Sequence, residues 1–327
     1  MDDRRRGSSL ASRVRLDTDE QLHTRVAWYY FIANMTQQEI GDRLGASRVR
    51  VNRLLAACRE RGLVQINIRG DLAACTALER QLLSAYGLSD AVVVPIADSG
   101  SGLRDAIGVA AASYVAERLG DNMTLGLGWG RTLRAVLRAI PNRVLEGASV
   151  VGLQGGLSHC SGINTFEIVS AFADRLGADQ HFFAAPVFAR NEADREMILA
   201  QQPTRETYEK GCSADMALFT VGEISDSLLV TYGIEAAEER SSLEASGVVG
   251  DVLGTFLDAQ GRSVDHSLNR RSVAIAPADL HDIGSRVMAA GGSSKAVAIR
   301  AALRSGIPNV LITDESTAQG LLEPAES

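Results

Sequence analysis

Only two lysines occur in 327 residues, Lys210 and Lys295, so arginine carries almost all of the positive charge. We read that bias as base composition, but it makes each lysine worth following. Cysteine is nearly as sparse. Cys58, Cys75, Cys160 and Cys212 stand far apart and form no CxxC pair, which fits reduced thiols in a cytoplasm better than a disulfide framework or a zinc site. No apolar run is long enough to cross a bilayer, so no membrane partner is expected. The arginines of "MDDRRRGSSLASR" are followed by no apolar stretch, and a secretory signal is therefore not expected. Internal repeats and low-complexity segments are also missing. What remains is ordinary for a globular chain, 46% hydrophobic and 22% charged, with room for one large domain and a small one.

The net charge of −7 is unevenly spread. Residues 1–70 hold 13 arginines against 8 carboxylates, or +5, and the remainder holds 20 basic against 32 acidic side chains, or −12. A basic end on an acidic body suits a polyanion at that end only. Charge alone equally allows a solvated basic head.

The pattern within "TRVAWYYFIANMTQQEIGDRLGASRVRVNRLLAACRERGLVQINI" is more specific. Arg25 to Ala33 shows helical apolar spacing. Thr36 and Glu39 form a capping box for a second helix whose Ile40 and Leu44 face inward. Gly45-Ala46 makes a turn, Ser47 caps a third helix, and Val51, Leu54 and Leu55 form its buried stripe. Two short helices across a tight glycine turn fit a helix-turn-helix. Arg48, Arg50, Asn52 and Arg53 are left on the outer face of the third helix; arginine pairs with guanine and asparagine with adenine in the major groove. Gln37, at the start of the second helix, is expected at a phosphate. "GLVQINIR" reads as a short strand, half of a wing. The competing reading is a helical hairpin whose arginines point to water. Double-stranded operator DNA is the expected partner. The division expected is a flexible basic N-terminus at 1–20, a DNA-binding domain at 21–69, a linker helix at 70–88 and an effector-binding domain at 89–323.

The linker helix presents Leu78, Leu82 and Leu83 on one face. Beyond Asp90, short apolar runs alternate with amphipathic helices: "AVVVPI", "MTLGLG", "ASVVGLQ", "QHFFAAP", "DMALFTVG", "SRVMAAG" and "NVLIT" are the strands. This alternation predicts an α/β domain with a largely parallel sheet. In such sheets ligands bind beyond the carboxyl ends of the strands.

Three strand-ending loops carry unusual chemistry. In "GLGWGRTL", Gly126, Gly128 and Gly130 bare the backbone, and Arg131 and Thr132 open a helix. Exposed N–H groups, an arginine and a hydroxyl suit a phosphate or a set of sugar hydroxyls. Trp129 would stack on a ligand, seal the rim or simply pack. In "LQGGLS", Gln154 precedes Gly155 and Gly156; in "GGSSKAV", Ser293, Ser294 and Lys295 open another helix. Each glycine has a plain alternative as a backbone requirement, and none of the loops is a P-loop or a clean dinucleotide fingerprint.

These residues together resemble the SorC-type sugar-binding transcriptional regulators, related to DeoR-like regulators. The resemblance rests on the helix-turn-helix and on "GLGWGRTL", "VVGLQGG", "FFAAPVF", "GVVGDVLGTFLDAQG" and "GGSSKAVAIRAALRSGIPNVLITDESTAQGLL". It implies a winged-helix-like head and an α/β effector domain of the sugar-phosphate isomerase-like (NagB/RpiA/CoA-transferase-like) type. The implied effector is a sugar, polyol or sugar phosphate acting on a carbohydrate or polyol catabolic operon, in a cytoplasmic homotetramer or homodimer. Gly128, Trp129, Gly130, Arg131 and Thr132 would meet the phosphate or terminal hydroxyls. Gln154, Gly155 and Gly156 would line the cavity, Asp251 and Asp258 would lie near it, and Lys295 would complete the anion site. One departure is "LFTVGEIS", where relatives often carry a Gly-Ile-Gly turn and this chain has Glu223.

The rival class is a sugar-phosphate isomerase or deaminase with an added DNA-binding head. Asp251, Asp258, Glu223 and His159 are its acid/base candidates, "SHCS" its nucleophile candidate and Lys295 a Schiff-base candidate. No compact acid/base set stands out in the sequence, so no catalytic residue, cofactor or metal is expected.

Overall fold

The computed structural model describes residues 19–33, 35–61, 63–64, 72–95, 101–157, 164–227, 229–234 and 237–323. The expected basic N-terminus, the wing strand and "SHCS" lie wholly or mainly outside them. The chain falls into two compact units, one within residues 1–68 and one within 69–327.

The first unit holds three helices, α1 (Asp19–Phe31), α2 (Gln37–Leu44) and α3 (Arg48–Glu60). The capping box forms as the sequence predicts. Thr36 Oγ1 accepts the Glu39 N–H at 3.3 Å, and Glu39 Oε2 accepts the Thr36 N–H at 2.7 Å. The Thr36 N–H, together with the Thr36 hydroxyl that donates to the same Oε2 at 2.8 Å, holds the Glu39 carboxyl below its ordinary value. Gly45 closes α2 in the left-handed region at φ 63°, and its N–H reaches the Gly41 carbonyl. Ser47 Oγ then accepts the Arg50 N–H at 3.2 Å, satisfying one of the orphan donors of α3. Val26, Ile40, Leu44, Val51 and Leu55 make the core between the helices, with Leu54 partly buried beside them.

The second unit is built on a seven-stranded sheet: β1 (Asp90–Val94), β2 (Thr124–Leu127), β3 (Ser149–Gly152), β4 (Asp179–His181), β5 (Met216–Phe219), β9 (Ser285–Ala289) and β10 (Val310–Asp314). Their order is β1-β10-β9-β5-β2-β3-β4, and every pairing is parallel. Six of the seven expected apolar runs fit this, because a parallel sheet is covered on both faces; in the seventh, the edge strand β4 is the polar Asp179–His181, and the apolar part of "QHFFAAP" lies beyond it. β3 and β5 are buried at every position.

One apolar cluster joins the sheet to α5 (Ser101–Arg118), α6 (Arg131–Ala139) and α7 (Thr165–Leu176) through Ile107, Val115, Leu133, Val136 and Phe172. A second gathers α4 (Leu72–Tyr86), α9 (Gln202–Cys212), α13 (Ala296–Arg304) and α14 (Glu315–Leu322) around Leu82, Phe219, Ile299 and Leu311. The expected linker helix is thus α4, and it is packed into the second unit. Leu82 is fully buried, Tyr86 Oη donates to the Leu321 carbonyl at 2.7 Å, and Glu79 accepts the Val93 N–H at 2.9 Å. The Glu79 bond satisfies an edge-strand donor that would otherwise invite pairing.

Between β5 and β9 the chain forms an antiparallel three-stranded sheet, β6 (Val221–Glu223), β7 (Val248–Val252) and β8 (Thr255–Asp258), with α10 (Ala237–Ala245) between β6 and β7. The sequence reading assigned no strands to β7 and β8. Their two-residue turn is Leu253-Gly254, with φ of 48° and 77°. A leucine in the left-handed region carries no turn signature, and its strain of about 1–3 kcal/mol persists only where surrounding structure holds it.

Candidate functional site

β2 leads through α6 to β3 on one side, while β5 leads through the small sheet to β9 on the other. The winding therefore reverses between β2 and β5. Loops diverge at such a switch point and leave a crevice at the carboxyl ends of the strands. A cleft of about 580 Å³, its open mouth included, lies there.

Eight of the eleven residues expected at an effector line it: Gly128, Trp129, Gly130, Arg131, Thr132, Gln154, Asp251 and Lys295. They come from the ends of β2, β3 and β9 and from β7. Gly130 sits at φ 124°, which L side chains rarely adopt, and caps α6 without a side-chain hydrogen bond. The first N–H groups of α6 thus face an anion-favouring helix start. Thr132 is buried and Arg131 exposed. Trp129 packs with Leu157, Val187 and Leu229 and presents part of its surface to the cleft.

Two buried polar atoms in the lining have no hydrogen-bond partner, Gln154 Oε1 and Thr220 Oγ1. Gln154 is only 3% exposed. Leaving such atoms unpaired costs about 1–3 kcal/mol each, and a hydroxyl-bearing ligand would remove that cost. Asp251, 7% exposed, accepts the Ser227 hydroxyl at 2.9 Å. Burial pushes its carboxyl up to about 6, against the downward pull of the Ser227 bond and of the Lys295 charge. Gly222 pairs with Asp251 across β6 and β7, and a Cβ at that glycine would collide with the carboxylate.

The lining also includes Arg104 on α5, Thr220, Gly222 and Ser227, which the sequence reading did not single out. For Thr220 and Gly222 the signal is the unusual "LFTVGEIS" segment, in which the departure from the resemblance falls at Glu223. Glu223 does not line the cleft; its carboxylate accepts the Ser225 hydroxyl at 2.8 Å. Nothing in the spacing of α5 marks Arg104.

Three expected residues lie elsewhere. Gly155 and Gly156 extend β3 into backbone pairing, donating to the Val273 and Ala185 carbonyls at 2.8 and 3.0 Å. A Cβ on Gly155 would stand 2.5 Å from the Pro186 carbonyl oxygen, and one on Gly156 2.7 Å from the Phe166 ring. Close approach of the protein's own chain accounts for both glycines. Asp258 staples the turn after β8, accepting the Gln260 and Arg262 N–H groups and the Arg262 guanidinium at 2.9 Å each. Burial works to raise its carboxyl, but the bonds from Arg262 and Gln260 outweigh that and hold it below its ordinary value.

In the head, Ser47, Arg48, Arg50, Asn52 and Arg53 are exposed at and beyond the start of α3. Gln37 is half-buried at the start of α2, and its Nε2 lies 3.5 Å from Asn52 Oδ1, which ties the two helices along one surface. Among the described residues no group of three or more His, Cys, Asp or Glu could hold a metal ion. No helix there is long and apolar enough to cross a membrane.

Residues 71–323 match the sugar-binding domain family, and residues 14–85 match the Crp-like helix-turn-helix domain. The chain is similar to the erythritol catabolism regulatory protein EryD of Brucella abortus, at 35% identity over 94% of this chain and 98% of that one. It is also similar to the deoxyribonucleoside regulator of Bacillus subtilis, at 32% identity over 93% and 97% of the two chains. Among solved structures, the full-length sorbitol operon regulator SorC of Klebsiella pneumoniae aligns with a TM-score of 0.71 and 29% identity, covering 95% of this chain and 100% of that one. A parallel α/β body with a cleft at its switch point, a helix-turn-helix head and these likenesses lead to one assignment: the chain belongs to the sugar-binding domain family of SorC-type transcriptional regulators.

Proposed function

We propose that this protein is a cytoplasmic, oligomeric transcriptional regulator of a carbohydrate or polyol catabolic operon, and that a phosphorylated sugar or polyol in the cleft controls its hold on DNA. The observation that carries this is the pairing of two kinds of group in one crevice. Gln154 Oε1 and Thr220 Oγ1 are buried acceptors awaiting hydroxyl groups, while Arg104, Arg131 and Lys295 are the cations of the lining. Three cations against the single carboxylate of Asp251 give the lining a positive balance, and that field favours an anionic ligand over a neutral polyol. The uncapped start of α6 adds partial positive charge in the same crevice.

The enzyme reading draws less support. Proton transfer needs a tuned acid or base with a partner, and among the described residues the lining offers one carboxylate and no histidine. The relatives described above are named as regulators.

Control follows from linkage. A ligand that binds the DNA-competent and DNA-incompetent arrangements unequally must change DNA affinity, and DNA must change the ligand's affinity by the same factor. Calorimetry with erythritol and erythritol 4-phosphate as a matched pair tests the reading. The phosphate ester is expected to bind at least tenfold tighter, in stoichiometric amount and without turnover. Equal affinity for the two, or processive product formation, contradicts it.

A further inference from the structure

The outer face of α3 carries an apolar residue that neither the core nor the expected DNA contacts include. Val49 is 64% exposed. At about 100° per residue along a helix, Val51, Leu55 and Cys58 point to one side of α3, and these are the buried positions. Val49 points to the opposite side. Asn52, Arg53 and Ala56 share that outward arc at i+3, i+4 and i+7, all exposed, and Arg48 and Arg50 flank it on either side. Val49 thus occupies the middle of the most basic helix face in the head, two residues after the Ser47 cap. The N-terminal residues of a recognition helix are the ones that reach base edges.

Arginine on both flanks commits this face to a polyanion, which makes an apolar protein partner a poor fit for it. Among the groups exposed in the major groove, the apolar one is the C5 methyl of thymine. We propose that Val49 reads a thymine methyl in each half-site, between the hydrogen-bonding contacts of Asn52 and Arg53. This rests on the reading that the head binds duplex DNA. The Gln37 amide beside Asn52 orients that side chain for the neighbouring base, so apolar and polar readout occupy adjacent steps of the groove.

The test uses the full chain and a duplex that it selects from a randomised library. Each thymine of that duplex is replaced in turn by deoxyuridine, which removes the methyl group alone. Wild-type protein is expected to lose about fourfold in affinity at one thymine per half-site, the effect of exposing one buried methyl. Val49→Ala is expected to bind the thymine and deoxyuridine duplexes equally, whereas Arg48→Ala weakens both by one factor and keeps the methyl effect. Because Val49 is exposed, Val49→Ala is expected to melt with wild type.

The proposal is overturned if no thymine methyl matters, or if Val49→Ala keeps the wild-type penalty. A change in oligomeric state on sedimentation would place Val49 between copies and overturn it too. A library that yields no enriched duplex removes the DNA-binding reading itself, whereas selection without a methyl effect removes only the role of Val49.

Discussion

The loops after β2 and β3 look alike as sequence, "GLGWGRTL" and "LQGGLS", yet the structure uses their glycines for different ends. After β2, Gly130 bends the chain at φ 124° so that α6 begins facing the cleft. After β3, Gly155 and Gly156 let the backbone press against the Pro186 carbonyl and the Phe166 ring. A glycine marks a place where something comes close. Its identity does not say whether that neighbour is a ligand or the protein's own chain.

Substitutions can break this contrast. The largest effect is expected from Gly155→Ala, whose new Cβ meets fixed backbone. Urea unfolding should show a loss of about 3 kcal/mol or more. A stable Gly155→Ala protein that no longer binds ligand would return that loop to the site. Arg131→Ala should leave unfolding unchanged and weaken a sugar phosphate by about 10- to 100-fold in calorimetry, as loss of a charge-assisted hydrogen bond implies.

Asp251→Asn should move the two properties in opposite directions. The Asp251 carboxyl is raised from 3.8 to about 6, so the folded chain binds a proton more tightly than the unfolded one. Its contribution to stability is therefore full below pH 3.8 and lost as pH rises through about 6. At pH 7.5 the amide should stabilise the fold by about 1–2 kcal/mol, a gain that fades on acidification, while weakening ligand binding. A destabilised Asp251→Asn protein at pH 7.5 would count against a strained carboxylate. The smallest change is expected from Asp258→Ala, about 1 kcal/mol of stability with no effect on ligand affinity. A drop in affinity would bring Asp258 back to the cleft.

Much of this arrangement is legible before any coordinates. The helix-turn-helix follows from Thr36, Glu39, Gly45 and Ser47, because caps and turns are local chemistry. Six of the seven parallel strands follow from continuous apolar runs, because burial on both faces leaves that trace; the edge strand β4, Asp179–His181, is polar and leaves none. The small sheet left none. β6 spans three residues, and the β7–β8 turn places Leu253, a residue with no turn preference, in a left-handed conformation. Arg104 escaped for a related reason: it reaches the cleft through the packing of α5 beside α6, a tertiary fact. Asp251 and Asp258 both sit in "GVVGDVLGTFLDAQG", and only pairing across β6 and β7 separates the buried carboxylate from the turn staple.

The coupling between cleft and head can be measured directly by titrating wild type and Arg131→Ala with operator duplex, with and without erythritol 4-phosphate. A shift of DNA affinity in wild type, absent in Arg131→Ala although its ligand-free DNA affinity is intact, is the result expected. Tight ligand binding that leaves the DNA affinity of wild type unmoved would contradict the account.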